Sequence, residues 1–282
     1  MSKDMEGRVC VVTGANTGIG RVTARELAHR GAHVVLACRS KDKTHPVIDE
    51  IRSASGNDRV DYLHLDLANL ESVRAAAAEL LARDLPLHVL VNNAGLAGHK
   101  GTTADGFEIA FGTNHLGPFL FTQLLLDKLR ASAPSRVVVV ASKAHYRAQG
   151  IDFHAVRKPT RSVTGLVEYG VSKLANVLYT AELAKHLDGS GVTTYSLHPG
   201  VIATDVWRRV PWPVRPIMNA FLKSPEDGAK TTLYCATAPE IQADSGLYYD
   251  SCKPRTPSEP ARDAHLATEL WNRSEQWCAQ SS

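Results

Sequence analysis

Tyr169 and Lys173 stand four residues apart in the segment Glu168-Tyr-Gly-Val-Ser-Lys-Leu-Ala-Asn176. That spacing is about one helical turn, so on a helix both side chains leave the same face. An ammonium beside a phenol stabilises the phenolate and lowers its pKa. The chemistry expected of such a pair is proton transfer by tyrosine near neutral pH. Tyr–Lys pairs at this spacing also arise by chance, so the meaning of this one rests on its surroundings.

A second group could hold a ligand. Thr13-Gly-Ala-Asn-Thr-Gly-Ile-Gly20 follows an apolar run and opens a helix-like segment. Glycines there permit a tight turn and a close backbone approach. A helix N-terminus offers N–H groups to a pyrophosphate. Gly14, Asn16, Thr17, Gly18, Ile19 and Gly20 are therefore candidate cofactor contacts. The spacing is Gly-x-x-x-Gly-x-Gly, not the Gly-x-Gly-x-x-Gly of the commonest dinucleotide fingerprint. A purely structural turn is the alternative.

Charge then discriminates between cofactors. At the end of the second apolar run, Cys38 is followed by Arg39, Lys41 and Lys43. A carboxylate there would bind a ribose 2′-hydroxyl, whereas a guanidinium pairs with a 2′-phosphate. The reading is NADP(H), against the alternative that Arg39 only solvates a strand end.

These groups need a scaffold. Residues 8–13, 33–38, 60–65, 87–91, 136–142 and 192–198 read as strands, most of them continuously apolar and β-branched. Such runs suit strands buried on both faces. Residues 18–30, 70–83, 107–130, 169–187 and 225–236 read as helices, with a short amphipathic helix over 261–277. Alternation of this kind predicts an α/β fold with a parallel sheet between two helical layers. No repeat, low-complexity tract or linker divides the chain, which predicts one domain over 1–282.

Composition bounds the function. The 282 residues are 44% hydrophobic and 22% charged, with a net charge of +3. That charge and the lack of a long basic run argue against nucleic acid as a partner. Five scattered cysteines without a Cys-x-x-Cys pair suggest reduced thiols, with Cys10 and Cys38 in the core. No apolar signal region opens the chain, and no stretch approaches the ~18–20 apolar residues of a membrane span. The expected location is cytoplasmic, with peripheral contact to the endoplasmic reticulum membrane left open.

With these features in order, the chain resembles the short-chain dehydrogenase/reductase family from about Gly7 to its C-terminal region. The likeness rests on the turn Thr13–Gly20, Asn92-Asn-Ala-Gly95, Asn114, Ser142, Tyr169-x-x-x-Lys173 and His198-Pro-Gly200 with Thr204. It implies a three-layer Rossmann fold, a doubly wound parallel sheet of about seven strands. It implies a catalytic set of Asn114, Ser142, Tyr169 and Lys173. In that set Tyr169 is the proton donor, Ser142 holds the substrate oxygen, and Asn114 orders a water linking Lys173 to solvent. Lys173 would also bond the nicotinamide ribose. Asp66 and Leu67 would lie against the adenine. Asn93, Ala94 and Gly95 would line the cofactor, and Pro199, Gly200, Val201 and Thr204 would hold the nicotinamide.

Taken singly, these residues have plainer readings. Ser142 could cap the next helix, Asn114 could bond locally, Asp66 could cap a helix starting near Leu70, and Asn93 could serve only a turn.

A finer likeness is to NADP-dependent members of the retinol dehydrogenase branch. Ala37-Cys-Arg39, Phe111-Gly-Thr-Asn-His-Leu-Gly-Pro-Phe119 and Gly191–Gly200 carry it, and so does the gap of 27 positions between Ser142 and Tyr169. The resemblance implies reduction of retinal or other lipophilic aldehydes. The expected lid, about 205–224, mixes Trp207, Trp212, Ile217, Met218 and Phe221 with Arg208, Arg209, Arg215 and Lys223. That mixture suits an elongated apolar substrate, a membrane surface or a lid packed on itself. A carbonyl or steroid reductase and a non-catalytic NADP-binding sensor are the competing functions. The long helices could form an interface between copies or pack within the monomer.

Overall fold

The structure is a computed structural model that describes residues 3–200 and 224–280. Val201, Thr204 and the expected lid up to 223 lie outside the described residues.

A single eight-stranded sheet organises the described residues, in the order β3-β2-β1-β4-β5-β6-β7-β8. The strands are β1 (Val9–Thr13), β2 (His33–Cys38), β3 (Val60–His64), β4 (Val89–Asn92), β5 (Ser135–Val140), β6 (Val192–His198), β7 (Tyr248–Asp250) and β8 (Lys253–Pro254). The first seven run parallel; β8 is a two-residue antiparallel edge on β7. The order reverses between β1 and β4, which opens a crevice at the carboxyl ends of those strands.

Alternation along each buried strand feeds two cores. Cys10 and Val12 of β1 pack with α1 (Gly18–His29), α2 (Lys41–Ser55) and α7 (Pro225–Thr237). Val11 points the other way, towards α3 (Leu70–Ala82), α5 (Gly117–Ala131), α6 (Leu166–His186) and α8 (Ala264–Gln280). Every residue of β1 is buried, as strands covered on both faces require. All five cysteines are free, and Cys10 and Cys38 are buried as expected.

β7 and β8 are not among the strands read from sequence, and two helices also depart from that reading. The helix expected over 107–130 is broken into a single turn, α4 (Ile109–Phe111), a π-helical turn (Gly112–Leu116) and α5. Pro118 has no N–H to donate to the carbonyl four residues back, and the wider turn absorbs that defect. Asn114 lies in this turn. The other departure is α2, which polar composition and an internal Pro46 concealed. Ser40 caps it, accepting from Lys43 N, and Gly56 ends it at φ 64°. Lys41 and Lys43 thus belong to the exposed first turn of α2.

Candidate active site

The glycine turn is shaped by contacts that exclude side chains. Gly14 has φ +64°, and a Cβ there would meet Ala94 Cβ at 2.9 Å. A Cβ on Gly20 would stand 2.6 Å from Gly14 O and collide with Asn93 Nδ2. Asn93 is the clasp: its Nδ2 donates to Thr13 O at 2.9 Å. Thr13 Oγ1 in turn accepts from Asn93 N at 3.0 Å and Ala94 N at 2.9 Å. Asn93 therefore does more than serve its own turn, and Thr13 is a site-building residue that motif reading passed over. Gly18 opens α1 at φ 54°, preceded by Thr17 in extended conformation, and no acidic residue stands in the first turn. Asn16 and Ile19 are half-buried beside them.

Arg39 follows β2 and is 74% exposed, with Nη1 3.9 Å from Asp66 Oδ2. Asp66 does not cap α3; that cap is Asn69, which accepts from Glu71 N and Ser72 N. Asp66 Oδ1 accepts from Ala68 N instead, at 3.0 Å. Leu67 is buried, its carbonyl against Gly117. Pro199 and Gly200 follow β6, with Gly200 at φ 100°.

The four expected catalytic residues converge beyond the ends of β4 and β5. Asn114 does not bond locally: Oδ1 accepts from Leu96 N at 2.8 Å, and Nδ2 donates to Leu96 O and Ser172 Oγ, both at 2.9 Å. A Cβ on Gly95 would lie 3.3 Å from both Asn114 Oδ1 and Lys173 Nζ. Gly95 thus lets those two polar groups approach one stretch of open backbone. Ser142 does cap the following 3-10 turn, accepting from Ala144 N at 3.1 Å. Gly170 lets α6 come close to this turn, because a Cβ there would press on Ala144 O at 3.2 Å. The small residue beside Tyr169 was the available signal.

One electrostatic expectation is corrected. Burial raises the Tyr169 pKa, and the Ser142 side chain is what opposes the rise, not the Lys173 ammonium. Lys173 Nζ donates to Val140 O at 2.7 Å and sits 5.7 Å from the Tyr169 ring centroid. Its own pKa falls to about 7, because burial disfavours the charged form. At neutral pH the phenol is therefore protonated, which is the form a proton donor needs.

The short chain dehydrogenase family profile matches residues 8–212. The chain belongs to the short-chain dehydrogenase family. As a short-chain dehydrogenase it is an oxidoreductase that acts on a small carbonyl or alcohol. Retinol dehydrogenase 11 of Mus musculus is 45% identical over 276 residues, covering 96% of this chain and 86% of the relative. An uncharacterized protein from Mycobacterium paratuberculosis superposes with a TM-score of 0.77 at 33% identity, over 99% of this chain and 97% of the other. The RhlG/NADP complex of Pseudomonas aeruginosa superposes at 0.70 with 26% identity, over 87% and 95% of the two chains. Among this dehydrogenase's described residues, no helix is long and apolar enough to cross a membrane.

Proposed function

We propose that the chain is one catalytic domain that interconverts a lipophilic aldehyde and its alcohol, of the retinal/retinol type, with NADP(H). The observation that carries this is the 45% identity to a retinol dehydrogenase across 96% of the chain. The site supports it: Ser142, Tyr169 and Lys173 keep the residue types and mutual placement that carbonyl reduction needs. A sensor would have no use for that set.

The residues fit a dinucleotide. The cradle of Gly14, Gly20 and Gly95 leaves backbone open where Cβ atoms would intrude. The N-terminus of α1 carries no competing carboxylate, and Arg39 supplies an exposed cation for a 2′-phosphate. Asp66, Leu67, Asn93, Ala94, Pro199 and Gly200 complete the binding set, with Val201 and Thr204 as further candidates by sequence. When bound, NADPH supplies the hydride.

The protein's own part is proton control. Tyr169 donates its phenol proton to the oxygen of the substrate carbonyl. Ser142 Oγ holds that oxygen and stabilises the developing charge. Lys173 shifts towards its charged form as the phenolate appears, which stabilises the phenolate. Asn114, next to Lys173 across Gly95, orders a water between Lys173 and solvent. The 206–223 segment is the candidate cover for an apolar substrate or contact with a membrane, on its mixture of aromatic and basic residues.

The test is a panel of all-trans-retinal, medium-chain aldehydes and a ketosteroid, each with NADPH and NADH. Retinal reduced with NADPH is the expected result, and a ketosteroid preferred over every aldehyde would overturn the substrate reading. Tyr169→Phe should abolish turnover while NADPH binding persists. Near-normal turnover by that variant would remove Tyr169 from the mechanism.

A further inference from the structure

The peptide unit that joins Ser142 to Lys143 is held at both ends by imidazoles. His145 Nδ1 is 2.6 Å from Ser142 O, which also accepts from the His145 backbone N at 3.2 Å. Lys143 N donates to His198 Nδ1 at 3.3 Å. Because a peptide unit is planar, fixing its C=O and its N–H fixes the plane. That plane fixes the ψ torsion of Ser142, one of the torsions of the backbone that carries its side chain.

The hydrogen bonds also assign the protons. A carbonyl only accepts, so His145 Nδ1 carries hydrogen and donates to Ser142 O. Its Nε2 is then the acceptor, and it takes Ser258 N at 3.2 Å. His198 Nδ1 must be an acceptor for Lys143 N. His145 is fully buried, 4.0 Å from the Tyr146 ring centroid and 4.8 Å from that of Tyr248. Burial lowers its pKa and keeps the ring neutral, as both bonds demand. Tyr146 OH donates to Thr256 O at 2.6 Å, so the same turn grips the C-terminal segment twice.

We propose that His145 is a positioning residue of the active site: through the Ser142 carbonyl it holds the backbone from which Ser142 presents Oγ. Ser142 lies beyond the end of β5, where the sheet ladder no longer guides the backbone. Its Oγ accepts from Ala144 N at 3.1 Å. A rotation of the 142–143 plane would break the bonds at both of its ends and disturb the Ser142 backbone without disturbing β5. His198, with Asp250 paired to Lys143 Nζ at 2.9 Å, steadies the other side of the same plane. The inference rests on the oxidoreductase reading given above.

Two amide substitutions separate positioning from mere packing. The Asn amide reaches the place of imidazole Nδ1 and can keep the bond to Ser142 O. The Gln amide reaches the place of Nε2 and can keep only the bond to Ser258 N. His145→Asn should retain kcat within about threefold, and His145→Gln should lose about tenfold or more, the effect of roughly one misplaced hydrogen bond in the transition state. KM for NADPH should stay unchanged in both, since neither touches the cofactor cradle. Thermal melts and NADPH fluorescence titration confirm that each variant is folded.

Equal kcat in the two variants, whether retained or lost, would overturn the proposal. So would a kcat loss that follows melting temperature and not the choice of amide. Should His145→Gln fail to fold, His198→Asn against His198→Gln makes the same comparison from the other end of the peptide. A wild-type chain with no turnover on the aldehyde panel refutes the functional reading, and this inference falls with it. An active wild type with indistinguishable variants refutes the inference alone.

Discussion

Lys173→Met should stabilise the protein while destroying its activity, and the gain should depend on pH. Burial drives the Lys173 ammonium from its ordinary 10.5 to about 7, which corresponds to roughly 5 kcal/mol against the charged form. The unfolded chain keeps the ordinary value. Between about 7 and 10.5 the unfolded state therefore binds more protons than the folded one, and stability rises with pH across that window. Below about 7 both states are charged and the penalty stands in full. Methionine has a similar length and no charge, so the variant escapes the penalty. Its advantage should be largest at pH 6 and smaller by about 2–3 kcal/mol at pH 9.

The substitution also strips Val140 O of its donor, at a cost of about 1–3 kcal/mol. That cost does not vary with pH, so the slope of the difference is the diagnostic quantity and not its absolute size. Denaturant melts of both proteins at pH 6, 7.5 and 9 measure it. A stability difference that stays flat over that range would refute the claim that Lys173 is buried at an energetic cost. An intact turnover number would refute its role in the chemistry.

Arg39→Asp should weaken NADPH about tenfold and leave NADH nearly unchanged, by fluorescence titration; the guanidinium's 74% exposure puts the effect at the low end for a charged hydrogen bond. NADPH affinity within twofold of the parent would exclude Arg39 as the phosphate contact. Gly20→Ala should cost about 1–3 kcal/mol through overpacking against the Gly14 carbonyl and lower the melting temperature by several degrees. An unchanged melt would mean the turn gives way freely. Sedimentation should show no pairing of copies through α5 and α6, because Leu270, Trp271, Ser274 and Cys278 of α8 are buried against that layer. A dimer whose association is abolished by substitutions on α5 and α6 would contradict this.

The sheet was legible because its chemistry is redundant. β5 carries four consecutive valines that no helix face needs, and their alternate side chains go to opposite cores, as continuous burial predicts. The helices were legible where one stripe was apolar, and hidden where function or capping set the composition. In α2 only Thr44, Val47, Ile48 and Ile51 are buried, and Pro46 mimics a stop signal. The π turn at Gly112–Leu116 could not be read from periodicity, because five residues are too few to show a change of period. Its warning was local: Pro118 placed where a helix needs an N–H.

The candidate site divides in the same way. Residues whose role follows from type, such as Tyr169, Lys173 and the glycines, could be named from spacing. Residues whose role is to hold another could not. Thr13 accepts two backbone N–H groups from across the strand-order reversal, and His145 reaches a carbonyl three residues back while accepting from Ser258, 113 positions away. Neither bond leaves a pattern in one dimension. The Tyr169–Lys173 pair shows why this matters for chemistry. Four-residue spacing puts the two on one face of α6, yet the atom that accepts from Lys173 Nζ is Val140 O, and the side chain that lowers the Tyr169 pKa against its burial is Ser142. A helical turn brings two side chains near each other; the end of β5 determines which way each one points.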